Sequence, residues 1–427
     1  MAVTSKRLHT PDRNMKIHPI ASAAFFFLIL APAPIFATQA PFIGVAAVTD
    51  NSGVPAVTAT GNNFQNFTDN ITEAGGAFQP LTGHTYDANV NFLGVPNAML
   101  YATNSTGTSV TVTLPPINFT QTFTGSSRSA VNSEIDDFFE KNGSGIFANF
   151  LKAIAQTSPI AVTDGNPDSA TAIAANSVFL NSAMTPSDEL EDEASGTKPQ
   201  FSGLAIGFDA GQFKAGGFSG DNYDLSFTAL NVGLGDQVRL QMPVDFNYLT
   251  VDGAQVAGAG VTFVLPIRIY TMDQNNPVSW RLTPLAGVSG RGSIDLAGGA
   301  ALWEAGLISS VDYKVNSKLV LCLMDQYTDN RSFTVSYGSY SFNPQVEQGI
   351  LKNGVRLVTP LTRRLILDVF AVETNFLNPA VTKNFTTLGG SLSLRATKNY
   401  NLSLAGNYDT GSSFSSWSVG LQSAWHW

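Results

Sequence analysis

Along the second half of this 427-residue chain, polar positions alternate with apolar ones, and charged side chains recur among the polar set. Arg239 and Asp245 alternate with Leu240, Met242, Val244, Phe246 and Tyr248, and Arg268 with Ile267 and Ile269. Arg281 and Arg291 alternate with Trp280, Leu282, Ala286 and Val288; Glu304, Asp312 and Lys314 with Trp303, Ala305, Leu307, Val311 and Tyr313. Lys352, Arg356, Arg364, Asp368 and Arg395 continue the series. A period of two puts one set on one face of a strand and the other set on the opposite face. If the apolar face meets lipid, the polar face lines a pore. The chemistry available there is attraction of anions or mutual bracing of charges across a narrow interior. Nine bases against four acids on that face predict a net basic lumen.

Other chemistry is sparse. Of four histidines, only His84 and His426 lie beyond the N-terminal leader, and Cys322 is the single cysteine. No zinc set can be built from these, and one cysteine excludes an intrachain disulfide framework. A Ser–His pair of hydrolase type would have to join His426 to Ser418 or Ser403. Two polar neighbours in a polar interior need no such role. There is no phosphate loop, dinucleotide fingerprint or GxSxG element. Catalytic residues, metal and cofactor are therefore all expected to be absent. A net charge of −9 argues against nucleic acid.

The elements that carry this pattern are strands. Twelve candidates run from 201 to 427: 202–213, 223–234, 236–249, 259–271, 278–291, 300–315, 317–327, 345–359, 363–376, 384–398, 399–410 and 413–427. The segment 331–343 also alternates and reads as a hairpin extension. Lipid cannot satisfy an open strand edge, so the sheet has to close. An even number of strands is usual for a bacterial barrel, and aromatics at strand ends suit interfacial girdles. The fold class is mainly β: a C-terminal antiparallel transmembrane β-barrel of about 12 strands, preceded by a small α+β domain.

The closing strand sets Trp417, Val419, Leu421, Trp425 and Trp427 on one parity, against His426, Ala424, Gln422, Gly420 and Ser418. Alternation ending on a terminal aromatic resembles the last strand of Gram-negative outer-membrane β-barrels, porin-like or autotransporter-like. That resemblance implies outer-membrane lipid and the barrel-assembly machinery as partners, the five residues forming the assembly signal.

Residues 1–37 read as a signal peptide for the general secretory route. An apolar core at Ala21–Leu30 follows Lys16, and cleavage is expected after Ala37. Residues 38–186 read as the α+β domain. Strands are expected at 85–92, 97–103, 109–114 and 117–124, with helices capped at Ser133, after Asn142-Gly143, and over 168–183. Residues 38–80 lack firm periodicity and read as flexible. An acidic linker at 187–200 leads to the barrel at 201–427. Residues 38–200 balance at −11, and 201–427 at −1.

Two functional classes follow. One is a small pore or solute-binding channel, taking a small anionic solute and plugged or capped by the N-terminal domain. The other is an autotransporter-like translocator, with a helix near 168–183 threading the pore behind a short passenger. An enzyme embedded in the barrel is a remote third.

Overall fold

The computed structural model describes residues 39–427, apart from 72–74, 139–143, 179–202, 236, 273–275, 338–339, 398 and 427. The expected signal peptide, the acidic linker and Trp427 lie outside the described residues.

The N-terminal region is an antiparallel sheet of six strands: β1 (Phe42–Val48), β2 (Val57–Gly61), β3 (Tyr86–Phe92), β4 (Val95–Thr103), β5 (Ser109–Leu114) and β6 (Phe119–Thr124), in the order β2-β1-β3-β4-β5-β6. With it come α1 (Phe64–Asn70), α2 (Arg128–Asp137) and α3 (Ser144–Ala155). Two expectations are corrected. The described residues of the lead expected to be flexible carry paired strands: β1 pairs on both sides, with β2 and β3. A strand with neighbours on both edges and buried Phe42 and Ala46 shows an apolar run more than an alternation. The cap of α2 is Ser127, whose hydroxyl accepts from the Ala130 N–H at 3.2 Å; Ser133 lies inside the helix.

The barrel strands are β7 (Gly203–Ala215), β8 (Phe218–Gly233), β9 (Arg239–Val251), β10 (Ala254–Val264), β11 (Ile267–Tyr270), β12 (Val278–Ser293), β13 (Gly298–Lys314) and β14 (Val320–Ser332). A small hairpin follows, β15 (Val335–Tyr337) with β16 (Tyr340–Phe342), at the place of the expected extension. Then come β17 (Glu347–Pro360), β18 (Leu365–Phe376), β19 (Asn384–Thr397), β20 (Tyr400–Gly411) and β21 (Phe414–His426). Neighbours along the wall pair antiparallel, with β14 paired to β17 past the small hairpin, β21 to β7, and β10 directly to β12. The short β11 continues β10 past Pro266, where the ring removes a ladder donor, so the pair makes one crossing. The result is a closed barrel of twelve strands.

Turn chemistry fixes the hairpins at one mouth. Asp252-Gly253 joins β9 to β10 with φ of 46° and 95°, the left-handed pair that a two-residue hairpin requires. Gly216-Gly217 does the same between β7 and β8, with φ of 56° and 95°. This mouth carries the N-terminal sheet. Phe42, Phe92, Phe123 and Phe150 share one apolar core with Phe213, Phe218, Val251, Leu296 and Phe414 of the barrel. The Phe64 N–H donates to the Asp295 carbonyl at 2.7 Å. Each aromatic so buried contributes roughly 1.5–3 kcal/mol, so the sheet is seated on the mouth, not tethered to it.

Candidate functional site

The outward face is apolar. Leu204, Phe208, Phe263, Val288, Leu307, Val355 and Leu404 are all exposed there. Of the closing-strand residues, Trp417, Val419, Leu421 and Trp425 are exposed on the same face. Tyr223 lies beside Tyr248, Tyr270 on Trp280, and Tyr400 on Trp425, giving aromatic clusters near strand ends. Tyr270, inward by simple alternation, turns outward because the register slips between Arg268 and Tyr270. No helix among the described residues is long and apolar enough to cross a membrane. A closed antiparallel barrel with an apolar exterior and a polar interior is the architecture of outer-membrane β-barrels, and this chain has it.

Inside, the two sides differ. On the side of β10 to β18 the wall is packed. Val264, Leu285, Ile308, Met324 and Val372 meet as an inward apolar cluster, and Val320, Cys322, Val358 and Ile366 form a second. Cys322 is thus buried inside the barrel. Charges here are paired. Arg356 Nε donates to Asp368 Oδ2 at 2.7 Å, and Nη2 bonds the same oxygen. Arg281 stands 3.8 Å from Asp312, both almost fully buried. The Thr262 hydroxyl donates to Glu304 Oε1 at 2.6 Å.

A helix leans on this packed side. The segment after α3 enters the lumen from the sheet-bearing mouth and continues as α4 (Ala170–Val178). Ala170 packs with Ala300, Leu302 and Val346 near that mouth; Ala172 and Ala175 pack with Ile350, Phe376 and Phe385. Gln326 Nε2 donates to the Ala175 carbonyl at 3.1 Å, and Lys352 Nζ to Asn176 Oδ1. Small alanines on α4 let a helix lie along the wall of a narrow barrel. Helix 168–183 was expected; its described part begins at Ala170, and residues beyond Val178 lie outside the described residues.

Leading into α4 are two carboxyls, Asp164 buried and Asp168 half-buried. Thr171 Oγ1 donates to Asp164 Oδ1 at 2.8 Å. Burial pushes Asp164 up to about 6, against that bond and the pull of Lys152.

The other side, from β19 through β21 and β7 to β9, is open. The open space reaches Arg291 of β12 and the Arg356–Asp368 pair of β17 and β18 at the edge of the packed side. A cavity of about 330 Å³ is lined by Arg239, Arg291, Asp209, Asp224, Asp245 and Asp409, by serines such as Ser391, Ser403, Ser416 and Ser418, and by Asn222, Asn247, Asn401 and Asn407. Arg239, Asp245, Arg291, Arg356 and Asp368 are sequence-expected lumen residues that the cavity brings together. Arg268 is buried on the inward face of β11; Lys314 and Arg395 are half-buried near the ends of their strands. Arg364 is a correction: it is exposed in the turn between β17 and β18, one residue short of the strand.

Asp209, Asp224 and Asp409 were not anticipated. They sit where glycines and polar residues on both faces blur the alternation of β7, β8 and β20. With them inside, inward acids nearly match inward bases, and the basic excess inferred from alternation does not survive. Among the described residues, no three His, Cys, Asp or Glu side chains are grouped to hold a metal ion.

No family model matches the chain, and no curated protein matches it. Solved structures do. The translocator domain of the autotransporter NalP from Neisseria meningitidis aligns with 12% identity over 56% of this chain and 93% of its own, at a TM-score of 0.37. The β domain of the Bordetella autotransporter BrkA aligns with 12% identity over 53% and 99%, at 0.38. The NanC porin aligns with 11% identity over 51% and 98%, at 0.32. At such scores these likenesses add nothing to what strand order and faces establish.

Proposed function

We propose that this chain is a bacterial outer-membrane barrel that holds its own α+β domain at its outer mouth, exported with a cleaved leader and inserted through its closing strand. The carrying observation is the path of the chain. It leaves the sheet, passes into the lumen as α4, and begins the wall at Gly203, at the mouth opposite the sheet. A translocator barrel with a short passenger needs that path. The longest inter-strand connection, 333–346, lies at the sheet-bearing mouth, and long loops belong outside. That favours a domain displayed at the cell surface over one capping the periplasmic side.

The polar cavity left open beside α4 favours a second reading, a plugged solute channel. The two part on where the sheet lies. Ser52 is exposed in the turn after β1, and the native Cys322 is buried. With Ser52→Cys, a membrane-impermeant maleimide should label intact cells. Labelling only after the outer membrane is opened would place the sheet in the periplasm and leave the plugged channel as the function.

A further inference from the structure

The connections at the mouth opposite the sheet divide unevenly by charge. Three neighbouring ones carry bases: Lys314 and Lys318 at the turn from β13 to β14, Arg363 and Arg364 from β17 to β18, and Arg395 from β19 to β20. Lys318, Arg363 and Arg364 are exposed, and Lys314 and Arg395 are half-buried. Because β14 pairs β17 and β18 pairs β19, these turns lie side by side as one arc of the rim. The connections at 234–238 and 271–277 hold no base. At the sheet-bearing mouth the connecting segments carry Asp252, Asp295 and Lys383, with no basic excess.

The Arg395 N–H donates to the Arg364 carbonyl at 2.7 Å, which seats two guanidinium groups on adjacent strands. Like charges so placed repel. Among the described residues, Lys314, Lys318, Arg363 and Arg364 form no ion pair. The same turns expose apolar side chains, Val315 at 48% and Leu361 at 53%. Both continue the outward apolar wall, on the parity of exposed Tyr313 and Leu357. Turn residues are ordinarily polar. Val315 and Leu361 therefore carry the hydrocarbon edge up to these turns and set the bases beside them at headgroup depth.

We infer that this arc binds the phosphate headgroups of anionic phospholipid, with Arg363 and Arg364 at its centre and Val315 and Leu361 among the acyl chains. The guanidinium fork matches phosphate oxygens, and a phosphate between Arg364 and Arg395 relieves their repulsion. Other occupants of the right sign fit less well. The chain's own acidic run at 188–193, outside the described residues, would answer the bases but brings one leucine, Leu190, to the exposed apolar pair. A soluble acidic protein would meet the bases from the water side only. The inference rests on the proposed orientation, which puts this mouth in the periplasm beside the phospholipid leaflet. The Ser52→Cys labelling tests that orientation by itself.

Native mass spectrometry of the purified full-length protein, in micelles doped equally with phosphatidylglycerol and phosphatidylcholine, tests the arc. Phosphatidylglycerol should be retained at least about fivefold over phosphatidylcholine, and less so as salt rises. Arg363→Gln with Arg364→Gln should abolish the preference, and Arg363→Lys with Arg364→Lys should keep most of it. Lys383→Gln, at the other mouth, should leave it unchanged. Heat-modifiable mobility on gels shows whether each barrel has formed. Should the double glutamine variant fail to fold, Lys318→Gln decides, and should lower the preference at least about twofold. The inference is overturned if the parent retains both lipids equally or if the preference survives the double glutamine variant. It is also overturned if the preference emerges only once the acids at 188–193 are changed to amides, since the chain's own acidic run then fills the arc. Stronger, arginine-dependent retention of lipid A would overturn it too; if Ser52→Cys then labels only opened cells, the orientation has failed with it.

Discussion

The two sides of the lumen are built from the same alternating strands yet do different work. From β10 to β18 the interior is filled: apolar side chains interlock, Arg356 is locked to Asp368, and α4 covers what remains. From β19 round to β9 it is open, lined by Ser, Asn and Asp, with Ile173 and Asn176 of α4 bordering the space. A barrel of this strand number is wide enough for either outcome, and the choice rests on side-chain size at inward positions. Met324, Ile308 and Leu285 close one side; Ser391, Ser403 and Ser418 leave the other wet. The comparison teaches that a threading helix needs one dry wall to lean on, and that polar chemistry is available only on the wall it leaves bare.

The largest test of this difference removes one carboxylate from the locked pair at the edge of the packed side and another from the open wall. Asp368→Ala removes the carboxylate bonded to Arg356, which is 4% exposed. Breaking such a buried pair costs roughly 3–5 kcal/mol. Asp409→Asn, on the open side, keeps an oxygen for the Thr387 or Ser416 hydroxyl and lies against the cavity, and should cost less than about 1 kcal/mol. Thermal unfolding of the two variants, followed by circular dichroism, checks it. Equal losses would mean the open side is as tightly coupled as the packed one.

Next comes the segment that joins the halves. Asp164, pushed up to about 6, binds protons more tightly folded than unfolded, where its value is near 3.8. Its contribution is therefore most favourable at low pH and is lost as pH rises from about 4 through about 6. At neutral pH its buried charge costs on the order of 3 kcal/mol. Asp164→Asn keeps the oxygen that accepts from Thr171 and removes the charge. The variant should be more stable at neutral pH, and its melting temperature should vary less between pH 4 and 6 than that of the parent. A variant less stable than the parent at pH 7 would show that the carboxylate is held by partners stronger than Thr171 and Lys152.

Much of this was legible in the sequence, for a physical reason. Where one face meets lipid and the other meets water, as in β9, β12 and β13, hydropathy separates the parities, and Arg239, Arg281 and Glu304 could be aimed inward from spacing alone. Legibility failed where the two environments are alike. The run Val320 to Met324 is apolar on both parities because the inward one packs against other apolar side chains, so period two could not show that Cys322 and Met324 face in. In β7 and β8, Gly207, Gly211 and Gly220 stand inward without side chains, and Asp209 and Asp224 were hidden among them. Glycine there reflects crowding: a Cβ on Gly211 would lie 2.1 Å from the Trp417 carbonyl oxygen. That Arg291 and Asp168 border one cavity could not be read at all, since it depends on how the chain re-enters its own barrel.

A third test inserts bulk instead of removing charge. Alternation alone treats Thr262→Arg and Asn247→Arg as equivalent inward changes. The packing does not. Thr262 is 3% exposed and bonded to Glu304, on the packed side, so an arginine must displace its neighbours at roughly 1–3 kcal/mol or more. Asn247 borders the cavity, and an arginine there can extend into it. Outer-membrane yield should fall for Thr262→Arg and hold for Asn247→Arg. Val244→Arg, on the outward face, should fail to insert, since lipid-facing arginine costs about 2–4 kcal/mol near the midplane. If Asn247→Arg failed like the other two, the open side would not be open.

The smallest effect is expected where a polar bond and an apolar contact hold the same helix. Gln326 gives α4 one hydrogen bond through Nε2, but its Oε1 is buried with no partner among the described residues. Gln326→Leu, close in volume, loses a bond worth about 0.5–1.5 kcal/mol and relieves an unmet acceptor of similar cost, so the two nearly cancel. Ala172 and Ala175 against Ile350 and Phe376 are untouched. Stability should change by less than about 1 kcal/mol, and conductance in planar bilayers should stay at the parent's level. A rise in conductance at unchanged stability would mean that the hydrogen bond, and not the apolar seam, keeps α4 on the packed wall. The division between a packed wall that holds α4 and an open wall beside it would then have to be redrawn.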